Sequence, residues 1–186
     1  MPIMEDLRIR KTTLAIENAM MELIEIKGYS KIKIIDIANR AQVNRNTIYL
    51  HYQSKEDIIL SILERHHGEL NIEQKIFSFI MSRGQKSDIN AIFSNLINSI
   101  DENIELYRIL LADHSLSGLL SYRINKWRDN LLKGLAKTAK NQIYLDYMIS
   151  GVFGVISKWV IYASSKKDDV INELTEIVFD GLNNIH

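Results

Sequence analysis

Residues 41–57 read AQVNRNTIYLHYQSKED, and four side chains in that stretch could together recognise nucleic acid. On a helix that starts after Asn44, Ile48 and Tyr52 lie four apart and turn inward with Val43. Arg45, Asn46, Tyr49 and Leu50 then fall on the opposite side. A guanidinium, an amide, a phenol and an apolar tip are the groups that read base edges. Arginine bonds guanine in a bidentate way, asparagine does the same with adenine, and an apolar group touches a thymine methyl. Thr47, His51 and Lys55 flank this face and suit phosphates, which fix register without reading sequence. Lys55 also falls in the first turn of the next helix, whose free N–H groups favour anions. The plainer alternative is a solvated helix face, with Tyr49 packed on the first helix.

The rest of the chain offers little other chemistry. There is no glycine-rich phosphate loop, no nucleophile elbow and no well-placed carboxylate pair, so an enzyme is not expected. The adjacent His66 and His67 point about 100° apart on a helix and do not chelate together. His114 is distant in sequence and no cysteine is present, so no metal and no cofactor are expected. Asp168 and Asp169 read as acids at a helix start, where they complement the dipole. The lack of cysteine suits a reducing compartment. The first residues carry early acids and no long apolar run, unlike a secretory signal. The most apolar stretch, YMISGVFGVISKWVIYASS, is interrupted by Ser157 and Lys158, so no membrane span is expected. A cytoplasmic protein is the expectation.

With 186 residues and a formal net charge of zero, the chain is no polycation, and any affinity for nucleic acid must come from a local patch. Residues 1–55 hold nine Lys and Arg against six Asp and Glu, a small positive excess that the remainder balances.

The elements that must position these groups are helical throughout. Ile16, Ala19, Met20, Leu23 and Ile24 form one apolar stripe, which Gly28 can end. Ile34, Ile37, Ala38 and Ala41 form a second, and Val43, Ile48 and Tyr52 a third, with Asn44 as its N-cap. Ile58, Ile59, Ile62, Leu63 and His66 carry a fourth helix, with Ser54 and Asp57 as its capping box. Further on, Arg83–Asp88 reads as a loop. The stripe Ile89, Ile92, Phe93, Leu96, Ile97 and Ile100 continues through Tyr107, Leu110 and Leu111 to a break near DHSLSG. Leu120, Ile124, Trp127, Leu131 and Leu135 mark another helix. Residues 144–163 are broadly apolar, and Ile171, Leu174, Ile177, Val178, Gly181, Leu182 and Ile185 mark the last one. Nothing alternates like a strand, and the only proline is Pro2.

With those elements in place, the segment from about Leu14 to Leu63 resembles the DNA-binding domain of the TetR (tetracycline repressor) family. The run IIDIANRAQVNRNTIYLHYQSKEDII lines up without gaps on that family's signature, through Asp36, Ile37, Ala38, Ala41, Val43, Thr47, Tyr49, His51, Tyr52, Ser54, Lys55 and Glu56. Lys27–Tyr29 matches the end of the family's first helix. Two positions depart. Lys33 stands where the family often has a capping Ser or Thr, and can meet a phosphate but cannot cap in that way. Gln42 replaces the usual turn glycine and bears strain if φ there is positive.

The resemblance implies an all-α fold. A three-helix helix-turn-helix domain over residues 1–53 precedes a larger helical domain over residues 54–186 that binds an effector and dimerises. It implies double-stranded DNA as partner, with Arg45, Asn46, Tyr49 and Leu50 on bases and Lys33, Thr47, His51 and Lys55 on phosphates. It also implies an unknown small-molecule effector, whose pocket Tyr107, Tyr122 and Trp127 are expected to line. Other aromatic and methionine residues of that domain (Phe77, Phe79, Met81, Phe93 and Met148) stand at core spacing. Two recognition helices related by a dyad read a palindrome with half-sites about 34–36 Å apart, or multiples of that. A homodimer through the last two helices is therefore expected, with Gly151, Gly154 and Gly181 as small residues in its seam. The expected role is a repressor released by the effector, which acts by changing the spacing of the two recognition helices. The alternative is a coregulator that engages a protein partner in place of a small ligand.

Overall fold

The computed structural model describes residues 2–113, 116–133, 135 and 138–182, and every regular element among them is a helix. The chain forms two compact units, residues 1–66 and residues 67–186.

The first unit starts with α1 (Pro2–Lys27). Gly28 ends it at φ 75°, and its N–H donates to the Ile24 carbonyl at 2.9 Å. Glycine reaches this left-handed conformation without steric cost. A single 3-10 turn, Tyr29–Lys31, leads to α2 (Ile34–Arg40), α3 (Arg45–His51) and the start of α4 (Lys55–Leu70). α2 packs on both α1 and α3. Ile16, Met20, Ile37, Ile48, Ile58 and Ile62 are fully buried, so each amphipathic stripe reaches one shared core.

The local signals at the helix starts are realised. Asn44 Oδ1 accepts from the Asn46 N–H at 2.9 Å. Ser54 Oγ accepts from Asp57 N–H, and the Asp57 carboxylate accepts from Ser54 N–H, both at 3.1 Å. At α2 the cap is only half made. The Lys33 ammonium has no lone pair to offer the helix, while Lys33 N–H donates to Asp36 Oδ2 at 2.8 Å. Lys27 Nζ reaches the same oxygen at 2.6 Å. That bond from Lys27, with the Lys33 N–H, holds the Asp36 carboxyl below its ordinary value. Gln42 has φ 55°, so the turn before α3 does place a side chain where glycine is favoured.

The second unit holds α5 (Ile72–Ser82), α6 (Lys86–Glu102), α7 (Ile104–Ala112), α8 (Ser117–Lys133), α9 (Ala139–Tyr162) and α10 (Lys167–Leu182). α10 lies along α6, and α9 packs on α7, α8 and α10. The loop expected at 83–88 is shorter, because α6 already begins at Lys86. The single stripe expected from Ile89 to Leu111 is two helices. Asn103 breaks it at φ −125° and ψ 32°, with its side-chain amide donating to the Ser99 carbonyl at 2.9 Å. The stripes give way in places. Leu135 lies beyond the end of α8, and Ile177 is exposed on α10. Phe79, Phe93 and Met148 are buried, whereas Phe77 and Met81 are exposed. His114, Ser115, Ile185 and the His67 side chain lie outside the described residues, and the break expected near DHSLSG falls between the end of α7 at Ala112 and the start of α8 at Ser117.

Candidate nucleic-acid interface

The four candidate base readers sit where α3 turns away from its support. Ile48 is fully buried and Tyr52 nearly so, and these two anchor the inner side. Arg45, Asn46, Tyr49 and Leu50 are all exposed, Leu50 to 81%. An isobutyl group standing free on a short helix is costly in water unless something covers it. Arg45 is not a loose side chain. Its Nη2 donates to Tyr49 Oη at 3.0 Å, and its guanidinium carbon lies 5.3 Å from the Tyr49 ring centroid. This pair, four residues apart, holds the guanidinium in a restricted pose on the outer face.

The candidate phosphate contacts divide. Lys33 is exposed beside the start of α2, and Thr47 and His51 are half-buried at the edges of α3. Lys55 is committed within its own unit. Its Nζ donates to the carbonyls of Tyr29 at 3.2 Å and Ile32 at 3.4 Å, and lies 4.0 Å from the Tyr29 ring centroid. Tyr29 Oη donates in turn to Glu56 Oε1 at 2.5 Å. Burial pushes the Glu56 carboxyl upward, but the bonds from Tyr29, its own backbone N–H and Ser54, together with the Lys55 charge, outweigh it, and the net shift is downward. Lys55 therefore ties the 3-10 turn to the start of α4.

Glu17 is not among the sequence candidates, although it is an acid inside an apolar stripe. It is buried to 3% exposure in the first unit. Its Oε1 accepts from Ser61 Oγ at 2.7 Å and Tyr52 Oη at 3.2 Å, and its Oε2 accepts from Arg65 Nε at 2.9 Å.

In the second unit a cavity of about 160 Å³ lies among α5 to α10. Ile92, Phe93, Leu96, Val152, Phe153 and Ile156 contribute to walls that present almost no polar atoms. Tyr107 and Trp127 line it, while Tyr122 is 58% exposed and does not. Among the described residues Glu73 is the only charged one in the wall, and its carboxylate accepts from Asn130 Nδ2 at 2.9 Å. Among the described residues no cluster of His, Cys, Asp and Glu could hold a metal ion, and no helix is long and apolar enough to cross a membrane.

On α9, Ile143, Tyr147, Val155 and Tyr162 are exposed along one side, Tyr147 to 73%. Gly151 and Gly154 share that stretch, and a Cβ added to either would meet nothing within 4 Å. Gly181 does a different job. A Cβ there would lie 2.7 Å from Met148 Cε and 3.0 Å from Tyr144 Oη, so this glycine lets α10 approach α9 within the chain.

Comparison with known proteins agrees with this geometry. Residues 16–62 match the family described as bacterial regulatory proteins, tetR family. The chain is 23% identical over 193 residues to the fatty acid metabolism regulator protein of Bacillus subtilis, covering 94% of this chain and 97% of that one. It is 26% identical over 109 residues to the transcriptional activator DhaS of the Lactococcus lactis dhaKLM operon, covering 56% and 58%. Its fold superposes on Thermus thermophilus FadR, a repressor solved in complex with lauroyl-CoA, with TM-score 0.60 at 16% identity over 91% of this chain and 94% of that one. A helix-turn-helix unit that matches the tetR family over residues 16–62, followed by a larger helical unit, makes this chain a DNA-binding transcriptional regulator whose N-terminal domain is of the TetR type.

Proposed function

We propose that the chain is a cytoplasmic, homodimeric repressor that binds a palindromic operator and leaves it when an apolar small molecule enters the cavity of the second unit. Residues 1–53 meet DNA, and residues 54–186 carry the effector site and the dimer surface. The observation that carries the reading is the outward row Arg45, Asn46, Tyr49 and Leu50 on a capped helix whose inner side is buried. These four take base edges. Lys33, Thr47 and His51 take phosphates, with Lys55 contributing its charge from the start of α4.

The exposed side of α9 supports pairing of two copies. Ile143, Tyr147, Gly151, Val155 and Tyr162 recur at helical spacing, with small residues that let a second helix come close. Support on α10 is thinner, because Ile177 stands there among exposed Glu173, Glu176 and Asp180.

The cavity supports an effector whose buried part is hydrocarbon. A carboxylate or phosphate placed inside would meet almost no polar surface and would cost several kcal/mol. Tyr107 and Trp127 contribute wall surface, and Tyr122 is left outside the site. The names of two relatives, a fatty acid metabolism regulator and a repressor bound to lauroyl-CoA, support an acyl chain as the class of ligand. An effector acts only by favouring one spacing of the recognition helices over another.

Footprinting of the chain on the DNA flanking its own gene tests the proposal. Two protected half-sites related by a dyad, one helical turn or a multiple apart, are expected. Protection of a single site without symmetry would overturn the dimeric reading.

A further inference from the structure

Glu17 joins three helices of the first unit through one carboxylate. Tyr52 is the residue that ends α3, and its N–H donates to the Ile48 carbonyl at 2.8 Å. Its phenol donates to Glu17 Oε1 at 3.2 Å. Ser61 and Arg65, one turn apart on α4, reach the same carboxylate at 2.7 and 2.9 Å. Tyr52 Oη also lies 3.4 Å from Ser61 Oγ.

Stability alone does not explain a charged group here. A buried ion pair often contributes no more than well-packed apolar residues of the same volume. Directed bonds differ from apolar contacts in one respect. Apolar surfaces can slide past one another at little cost, whereas a buried acceptor that loses its donor pays the full desolvation penalty. The arrangement therefore fixes where the end of α3 stands relative to α4, and not only that the two pack.

We propose that Glu17 is a positioning residue for DNA reading: by holding Tyr52, Ser61 and Arg65 on one carboxylate, it fixes the orientation of α3 to that of α4. The proposal rests on the reading role of α3 given above. A displacement of α4 along α1 would part Arg65 from Glu17 and release Tyr52, so the recognition helix follows α4 as one body or loses its setting.

The test compares Tyr52→Phe, Arg65→Gln and the double variant in the full-length chain. Tyr52→Phe keeps the ring and its packing, so it carries the test even where a Glu17 variant fails to fold. Two probes are used: the duplex that the wild-type chain enriches from a randomised pool, and a mixed-sequence duplex of the same length. Urea unfolding is followed in parallel. Each single variant is expected to lose affinity for the enriched duplex by about tenfold while keeping wild-type affinity for the mixed one, and the double variant is expected to fall short of the product of the two losses. Variants that lose stability but keep wild-type affinity on both duplexes would overturn the proposal and leave Glu17 a structural residue. A wild-type chain that enriches no sequence would overturn the reading role of α3 itself, a result seen before any variant is made.

Discussion

At the scale of single residues, Arg45 is the side chain whose removal should matter most for sequence reading. Its guanidinium is exposed and held by Tyr49. Arg45→Ala is expected to cost about 1–3 kcal/mol on the preferred duplex and to relax preference at one base pair per half-site, with little change on random DNA. Affinities for a set of single-base operator variants measure this. Gln42 allows a second prediction. Its φ of 55° is one that a side chain adopts at a cost, so Gln42→Gly is expected to stabilise the chain by roughly 0.5–1 kcal/mol, read from urea unfolding. The outward row was legible because spacing and residue type define it, and the turn strain because the family resemblance marks Gln42 as a position usually held by glycine. The commitment of Lys55 was not, since its two carbonyl partners belong to the turn before α2. Glu17 left a signal, an acid in an apolar stripe. Its partners Ser61 and Arg65, however, lie 44 and 48 residues further along the chain, beyond the reach of any local pattern.

At the scale of elements, helix starts were readable and helix breaks less so. Asn44 and Ser54 declare caps by type and offset, and both are made. Asn103 interrupts an apolar period without disturbing it, so α6 and α7 read as one stripe although they are two helices. The start of α2 depends on Asp36. Its carboxyl is held below the ordinary value of 3.8 by the bond from Lys27 and the Lys33 N–H. A group depressed in the folded state stabilises above its unfolded value, and that contribution disappears as pH falls through the lower folded value. Wild type is therefore expected to be more stable than Asp36→Asn at neutral pH, with the gap closing below pH 3.8. Urea midpoints across an acid series check it. On α9, Tyr147→Glu places a charge on the exposed apolar side and is expected to give monomers by analytical ultracentrifugation, with weaker operator binding. A dimer of unchanged stability would move the interface elsewhere.

At the scale of the whole molecule, the proposal has a chain without net charge read DNA through one small face. On that proposal, affinity comes from a limited number of phosphates, doubled by pairing two copies. The cavity is an apolar space that neither composition nor periodicity could reveal. Apolar residues that line a void have the same spacing as those that fill a core. Tyr107 and Trp127 met it and Tyr122 did not, because helix rotation decides which side of α8 faces inward. The measurement that bears most directly on the central claim is a titration of the chain against the duplex flanking its own gene across a salt series, beside a random duplex. Tighter binding to the flanking duplex is expected, with log affinity for both falling linearly and steeply as log salt rises, because phosphate contacts release counterions. Equal affinity for the two duplexes, or binding indifferent to salt, would contradict it.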